Sequence, residues 1–537
     1  MTKRLKFVLC IFFCFQSLQI VAEKYWISFT DKNGVDFDPY SYFSERTIMQ
    51  RLQSATSLCD EKDFPVNKNY IEAVSRYCDS IGNCSRWLNG IAVHTTSEKA
   101  AQIEKLKFVA HVESMTSSML LAMENEGTFD LDNYNLALLH YQTDRLGGKD
   151  FTAKNITGKS VRIAVLDAGF KGTETNPAFK KLRDEKRIIA TYDFIKNTEN
   201  VYVSHWHGSA ALSCIVGELD TLKIGLAIGA EILLARTENV ARETYSEEEN
   251  WLAAAEWADK NGANIISSSL GYTYHRYFNT ELNGRQSLVA RAATIAASKG
   301  ILVVNSAGNE FKDNWHFLST PADADSVLAV GGTDPNTDLQ IYFSSVGPTS
   351  DGRMKPNVTA PGEVICTDVV GLHQSLGTSF SAPLVTGFAA CAWETNRGLS
   401  NMQLFRAIEK SAHLYPYFDY AHGYGIPQAK YFLDTVRSKE PTFDFVIVNG
   451  EIKVILREKY SYSQQEQALG YQAQRNFFYK ITAKDGTIKS YTVFFADRKE
   501  MLDLQATDFS EGDEITVHFE GYTSSLDFPE IKMEEVK

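Results

Sequence analysis

Nowhere do the 537 residues hold the unbroken ~20 apolar positions that a bilayer-spanning helix needs, so no membrane span is expected. Positive charge is also in short supply. With 54 Lys and Arg against 67 Asp and Glu the formal charge is −13, which argues against nucleic acid or an anionic membrane as partner. Internal repeats and low-complexity tracts are missing, so neither a solenoid nor a long disordered tail is expected. Cysteine is sparse, and its eight positions show no metal-site spacing and no placement suited to a nucleophile.

What the chain does have begins with Lys3, Arg4 and Lys6, an apolar run over residues 7–15, and then Ala22 before Glu23. That is the pattern of a cleavable signal peptide, residues 1–22, and it implies a secreted or periplasmic product. Cys10 and Cys14 would leave with it. Cys59, Cys78 and Cys84 are three, an odd number, so at most one disulfide joins two of them and the pairing stays open. Cys214, Cys366 and Cys391 stand among small or apolar residues and read as buried thiols.

A chain this long exceeds what one core can hold, so two or three domains are expected. Residues 23–132 mix short apolar segments (25–29, 91–93, 108–112) with helical stretches (63–80, 97–106), a small α+β unit that ends in a polar connector, 114–132. Residues 133–436 alternate short apolar strands (161–166, 231–235, 264–268, 301–305, 327–330) with helices such as 249–261 and 286–299. This predicts an α/β fold, a doubly wound and mostly parallel sheet with its site at the strand ends. Over 441–537 strand signals take over (443–448, 452–456, 477–481, 488–495, 515–519), predicting a C-terminal β-sandwich with no visible chemistry.

Chemistry gathers at four places in the middle segment. Gly377-Thr378-Ser379-Phe380-Ser381-Ala382-Pro383 opens a run of small and apolar residues that reads as a buried helix. A serine there attacks a carbonyl while unpaired amides and the helix dipole favour the oxyanion, and Pro383 is expected in the first turn. Alone, Ser379 would read as a helix cap. It needs a base, which His207 supplies at the head of the small-residue helix His207-Gly208-Ser209, and the base needs an orienting carboxylate, which Asp167 supplies at the end of strand 161–166. His205 is the competing histidine, but it does not start that helix. Asn309, in Ser306-Ala307-Gly308-Asn309-Glu310 after strand 301–305, offers a side-chain amide to the oxyanion, although by itself it reads as a turn residue.

The order Asp167, His207, Asn309, Ser379 resembles the subtilisin-like serine peptidases over residues 133–436, and this triad order is subtilisin's. The resemblance implies a subtilisin-like fold and a serine endopeptidase that hydrolyses peptide bonds through an acyl-enzyme. Asp167 then orients the imidazole, His207 is general base and acid, Ser379 is the nucleophile and Asn309 the oxyanion donor. It also implies protein or peptide substrates laid along Ser269, Leu270 and Gly271, next to the aromatic residues Tyr272, Tyr274, Tyr277 and Phe278.

No cofactor is required for this catalysis. A structural calcium is common in the family, and the acidic loop 334–338 offers oxygens without forming a calcium motif. The N-terminal unit resembles the family's propeptides, an intramolecular inhibitor cut away within 113–132. Read from residues alone, a permanently attached binding domain fits it nearly as well. Two departures stand out, because the family usually has Ser or Thr at Ala168 and Thr at Ser209. A catalytically silent binding scaffold and an esterase are the competing functions.

Overall fold

The computed structural model describes residues 23–53, 57–115, 133–239, 246–273, 277–312, 317–434, 440–448, 451–461, 475–496, 499–505 and 509–528. The expected signal peptide and residues 116–132 of the expected connector lie outside the described residues. Contacts divide the chain into two compact units, residues 1–35 with 64–116, and residues 36–63 with 117–537. The expected N-terminal unit is thus interrupted, because residues 36–63 pack with the larger unit.

In the smaller unit, β1 (Glu23–Phe29) lies between two antiparallel partners of a four-stranded sheet. After β1 the chain makes α1 (Pro39–Tyr42) and α2 (Glu45–Gln53), both in the larger unit, then returns as α3 (Lys68–Ser75), β2 (Ser80–Ser85), β3 (Gly90–Thr95), α4 (Ser97–Ile103) and β4 (Val109–Ser114). The sheet order is β2-β3-β1-β4. Tyr25, Ile27, Phe29, Ile91 and Val93 pack on Val74, Ala100 and Ile103 of the helices, which is the expected α+β core. The expected helix 63–80 is shorter, starting where Asn67 caps the amide of Asn69. β2 was not expected, since its Ser-Ile-Gly-Asn-Cys-Ser sequence lies exposed at the sheet edge and carries no apolar alternation.

Past the smaller unit the chain continues in the larger one with α5 (Asn133–Asp144) and α6 (Gly148–Ala153), and that unit is built on seven parallel strands. In chain order these are β5 (Arg162–Asp167), β6 (Ile188–Asp193), β9 (Glu231–Arg236), β10 (Ile265–Ser268), β11 (Leu302–Ser306), β12 (Val327–Thr333) and β13 (Val358–Pro361). The short hairpin β7 (Glu218–Leu219) with β8 (Leu222–Lys223) stands apart from them. The order across the sheet is β13-β12-β11-β10-β5-β9-β6. Runs such as Ile232-Leu233-Leu234-Ala235 are wholly buried, as a sheet covered on both faces requires. β6 was not expected; it is a half-exposed edge strand, so its sequence lacks the continuous apolar run.

Between the strands come α7 (Lys180–Asp184), α8 (His207–Val216), α9 (Ser246–Lys260) and α10 (Leu288–Ser298). The hairpin β14 (Glu363–Asp368) and β15 (Gly371–Leu376) leads into α11 (Thr378–Thr395), followed by α12 (Asn401–Ser411) and α13 (Lys430–Leu433). α11 packs on α8 and across β10 to β13, whereas α9 packs on α10. The winding reverses beside β5, between strands that continue outward to β9 on one side and β10 on the other. A site is expected at the strand ends there, and Asp167 is the last residue of β5.

At the C-terminal end, β16 (Phe443–Val448), β17 (Glu451–Leu456) and β20 (Glu500–Gln505) form one antiparallel sheet. A second is formed by β18 (Asn476–Thr482), β19 (Ile488–Phe495), β21 (Glu514–Phe519) and β22 (Tyr522–Asp527). Phe443, Val454, Phe477, Met501 and Val517 from both sheets share one core, which is the expected sandwich with two further strands, β20 and β22.

Candidate active site

Asp167 is fully buried, and its Oδ1 accepts the Ala168 amide at 2.7 Å and meets Nδ1 of His207 at 2.8 Å. The sequence His-Gly makes that approach fit. A Cβ at Gly208 would lie 2.4 Å from the Gly169 carbonyl oxygen and 3.0 Å from the Cβ of Asp167, so any larger residue would push the helix off the strand end. Ser209 turns its hydroxyl to the carbonyl of Lys171 (2.9 Å) and to Thr173 (2.8 Å), holding the turn that follows Asp167. His205 lies alongside, its Nδ1 accepting the His207 amide at 3.3 Å and its ring stacked on Trp206. The departure at Ala168 has a visible result: Oδ2 of Asp167 is buried with no hydrogen-bond partner among the described residues.

Ser379 is the second residue of α11, 7 % exposed, and the ring of the next residue, Phe380, lies 5.5 Å from the His207 ring. Gly377 starts the helix at φ 151°, a conformation that favours glycine. Pro383 departs from expectation: it is the sixth residue of α11, beyond the first turn, so it withholds the amide that would bond the carbonyl of Ser379. The hydroxyl of Ser269 donates to that carbonyl at 2.7 Å instead, and the hydroxyl of Ser379 donates to the Ser269 carbonyl at 3.4 Å. Ser269→Ala would leave a buried carbonyl unsatisfied, and a thermal melt should show a loss of about 2 kcal/mol. An unchanged melt would contradict this role for Ser269.

Asn309 follows β11 and is exposed to solvent. Its Oδ1 accepts both the amide and the hydroxyl of Thr378, each at 2.9 Å, which fixes the oxygen end and leaves Nδ2 as the outward donor. Ser269 and Leu270 are buried and Gly271 is exposed. The Leu270 carbonyl is taken by Asn305 at 2.9 Å. Tyr272 and Tyr277 are buried loop packing, the latter donating to Glu248 at 2.6 Å; Phe278 is 80 % exposed, and Tyr274 lies outside the described residues.

One contributor gave no signal in the sequence. The buried guanidinium of Arg236 donates to the Ala168 carbonyl (3.1 Å), Ser204 (3.1 Å) and the carboxylate of Asp193 (2.8 Å). It therefore ties the turn after Asp167 to the stretch leading into His207. Parallel register is what brings Asp193 and Asp167 to either side of Arg236, and no local pattern reports that.

In the acidic loop 334–338, Asp334 accepts the amides of Asn336 and Thr337, and Asp338 is held by Arg145 and Tyr141. Among the described residues no three His, Cys, Asp or Glu side chains gather so as to hold a metal ion. Cys214, Cys366 and Cys391 are buried, and burial pushes the Cys214 thiol up to about 12. The Cys366 thiol lies 3.3 Å from Nε2 of His373. Cys59 and Cys78 are free thiols.

The sequence model of the Subtilase family matches residues 158–425, and that of the Peptidase S8 propeptide domain, Bacteroidota, matches residues 24–128. Subtilisin Savinase of Lederbergia lenta is 26% identical over 262 residues, 48% of this chain and 86% of its own length. Alkaline elastase YaB of a Bacillus strain is likewise 26% identical over 48% of this chain, but the chain spans only 61% of its length. The crystal structure of MycP1 from Mycobacterium smegmatis has 21% identity, covers 60% of this chain and 92% of that one, and superposes with a TM-score of 0.46. Among the described residues no helix is long and apolar enough to cross a membrane. The matched segment contains Asp167, His207, Asn309 and Ser379, a propeptide domain precedes it, and the chain belongs to the subtilase family of serine endopeptidases.

Proposed function

We propose that this protein is an exported serine endopeptidase, made as a self-processing precursor, that hydrolyses peptide bonds with Asp167, His207 and Ser379. The observation that carries the reading is the 2.8 Å contact between Asp167 and Nδ1 of His207, beside a serine at the N-terminus of a buried helix. The carboxylate fixes the imidazole so that its other nitrogen takes the Ser379 proton as the hydroxyl attacks the substrate carbonyl. The tetrahedral oxyanion meets the first amides of α11 and Nδ2 of Asn309. His207 then returns the proton to the leaving amine, and water releases the acyl group by the same steps in reverse.

A peptide substrate adds as a strand along Ser269 to Gly271. Residues 1–22 act as the export signal, and a cut in the connector, within 113–132, separates the propeptide domain. No cofactor enters any step.

Asn309→Leu is expected to lower kcat by roughly 10²- to 10³-fold with little change in KM, the size of the loss in subtilisin when its oxyanion amide is removed. A change confined to KM would contradict the role. The whole reading is tested by fluorophosphonate labelling of the purified protein beside Ser379→Ala, with both N-termini sequenced. Labelling that vanishes in the variant, which also stays unprocessed, supports it. A folded wild-type protein that takes no label would turn the reading to a binding scaffold.

A further inference from the structure

The loop 334–345, between β12 and β13, touches the C-terminal sandwich at one end and the turn that carries Asn309 at the other. At the sandwich end, Nδ2 of Asn476, the first residue of β18, donates to the Thr337 carbonyl (2.6 Å), and Leu339 packs with Leu414, Tyr417, Phe478 and Val493. At the other end the amide of Ser345 donates to the Gly308 carbonyl (3.0 Å). The hydroxyl of Ser345 accepts the Glu310 amide (3.2 Å) and donates to the Glu310 carboxylate (3.0 Å). Gly308 and Glu310 flank Asn309, so Ser345 holds the turn on both sides of the proposed oxyanion donor.

Between these ends stands His422, buried in the segment that joins α12 to α13. Its Nε2 accepts the Gln340 amide at 3.0 Å. An imidazole nitrogen that accepts an amide proton carries none itself, so the ring proton sits on Nδ1, which donates to the buried carboxylate of Asp419 at 3.0 Å. The Phe478 ring meets the imidazole edge to face, with 5.5 Å between centroids. The side-chain amide of Gln340 in turn donates to the Ser344 carbonyl at 2.7 Å, and Ser344 and Ser345 are wholly buried. Each step of the path Phe478, His422, Gln340, Ser344, Ser345 is thus a ring contact, a hydrogen bond or a peptide link. Groups packed this closely pass a shift on to their neighbours.

We propose that His422 is a positioning residue for the oxyanion amide, coupling the C-terminal sandwich to the turn that presents Asn309. It acts through Gln340 and Ser345. The sandwich, which shows no chemistry of its own, then has a part in turnover. Without an acceptor at Nε2 the Gln340 amide is left unsatisfied, and the loop relaxes by turning that amide toward water. Ser345 follows, and Nδ2 of Asn309 no longer meets the oxyanion at hydrogen-bond distance. That donor acts on charge which appears in the transition state, so kcat falls while KM holds. The inference rests on the peptidase reading above.

His422→Phe keeps a ring against Phe478 and removes the acceptor, whereas His422→Gln puts a side-chain oxygen where Nε2 was. Each variant is melted first to establish that it is folded. Should His422→Phe fail that check, Gln340→Met, which removes the donor to Ser344, carries the same expectation. On a peptide anilide His422→Phe should lower kcat about tenfold with KM unchanged, and His422→Gln should recover most of that loss. In an Asn309→Leu background His422→Phe should cost less than about twofold, because the donor it positions is gone. An unchanged kcat, a change confined to KM, losses that multiply in the double variant, or a His422→Gln as slow as His422→Phe would overturn the proposal. Hydrogen exchange followed by mass spectrometry reads the same coupling without turnover, in full-length protein carrying Ser379→Ala. There His422→Phe should speed exchange at the amides of Glu310 and Ser345 as well as Gln340. Faster exchange at Gln340 alone would overturn the coupling. A folded parent that leaves the anilide uncut would count against the peptidase reading, and the exchange result would then decide the inference by itself.

Discussion

Ser379→Ala is expected to lower kcat roughly 10⁶-fold, His207→Ala by a similar factor, and the double variant by no more than either alone; these are the factors known from subtilisin. The non-additivity follows from the chemistry. Proton removal by His207 and attack by Ser379 are one event, so a serine without its base is as idle as a base without its serine. What survives, roughly 10³- to 10⁴-fold over water, comes from the oxyanion donors and from binding, which neither substitution touches. Burst-free steady-state kinetics on a peptide anilide would measure all three variants. Losses that multiply in the double variant would mean that the two side chains act independently, and the triad assignment would fall.

The residues proposed as catalytic stand out in the sequence because each sits at a local discontinuity: Asp167 at the end of an apolar strand, His207 and Ser379 at the heads of small-residue helices, and Asn309 in a glycine turn after a strand. The alternation of strand and helix likewise announced the parallel sheet, because strands buried on both faces must be continuously apolar. Legibility failed where the cause is remote in sequence. Edge strands β2 and β6 need no apolar face, so they carry no periodic signal. Arg236 and Asp193 meet through register, Ser269 meets Ser379 across 110 residues, and Arg51 meets Asp259 across 208.

The unpartnered Oδ2 of Asp167 leads to the second large effect. Asp167→Ala should cost roughly 10⁴-fold in kcat, as removal of the triad carboxylate does in subtilisin. Asp167→Asn should cost less, about tenfold less, for a reason specific to this chain. The Ala168 amide and Nδ1 of His207 both point at Oδ1, so an asparagine settles with its carbonyl there, and the imidazole keeps its tautomer. Its NH₂ falls where Oδ2 was, an atom with no hydrogen-bond partner among the described residues. Only the negative charge that stabilises the imidazolium is lost, and the acid limb of kcat/KM should move to lower pH in this variant, because an adjacent anion favours protonated histidine. The same vacancy predicts a gain. Ala168→Ser puts a hydroxyl beside Asp167, and a bond to Oδ2 that holds the carboxylate in place should raise kcat by up to about tenfold, ~1.4 kcal/mol of barrier. Equal losses in the Asn and Ala variants would show that the carboxylate is held by something other than these two donors, and an unchanged Ala168→Ser would show that Oδ2 needs no partner.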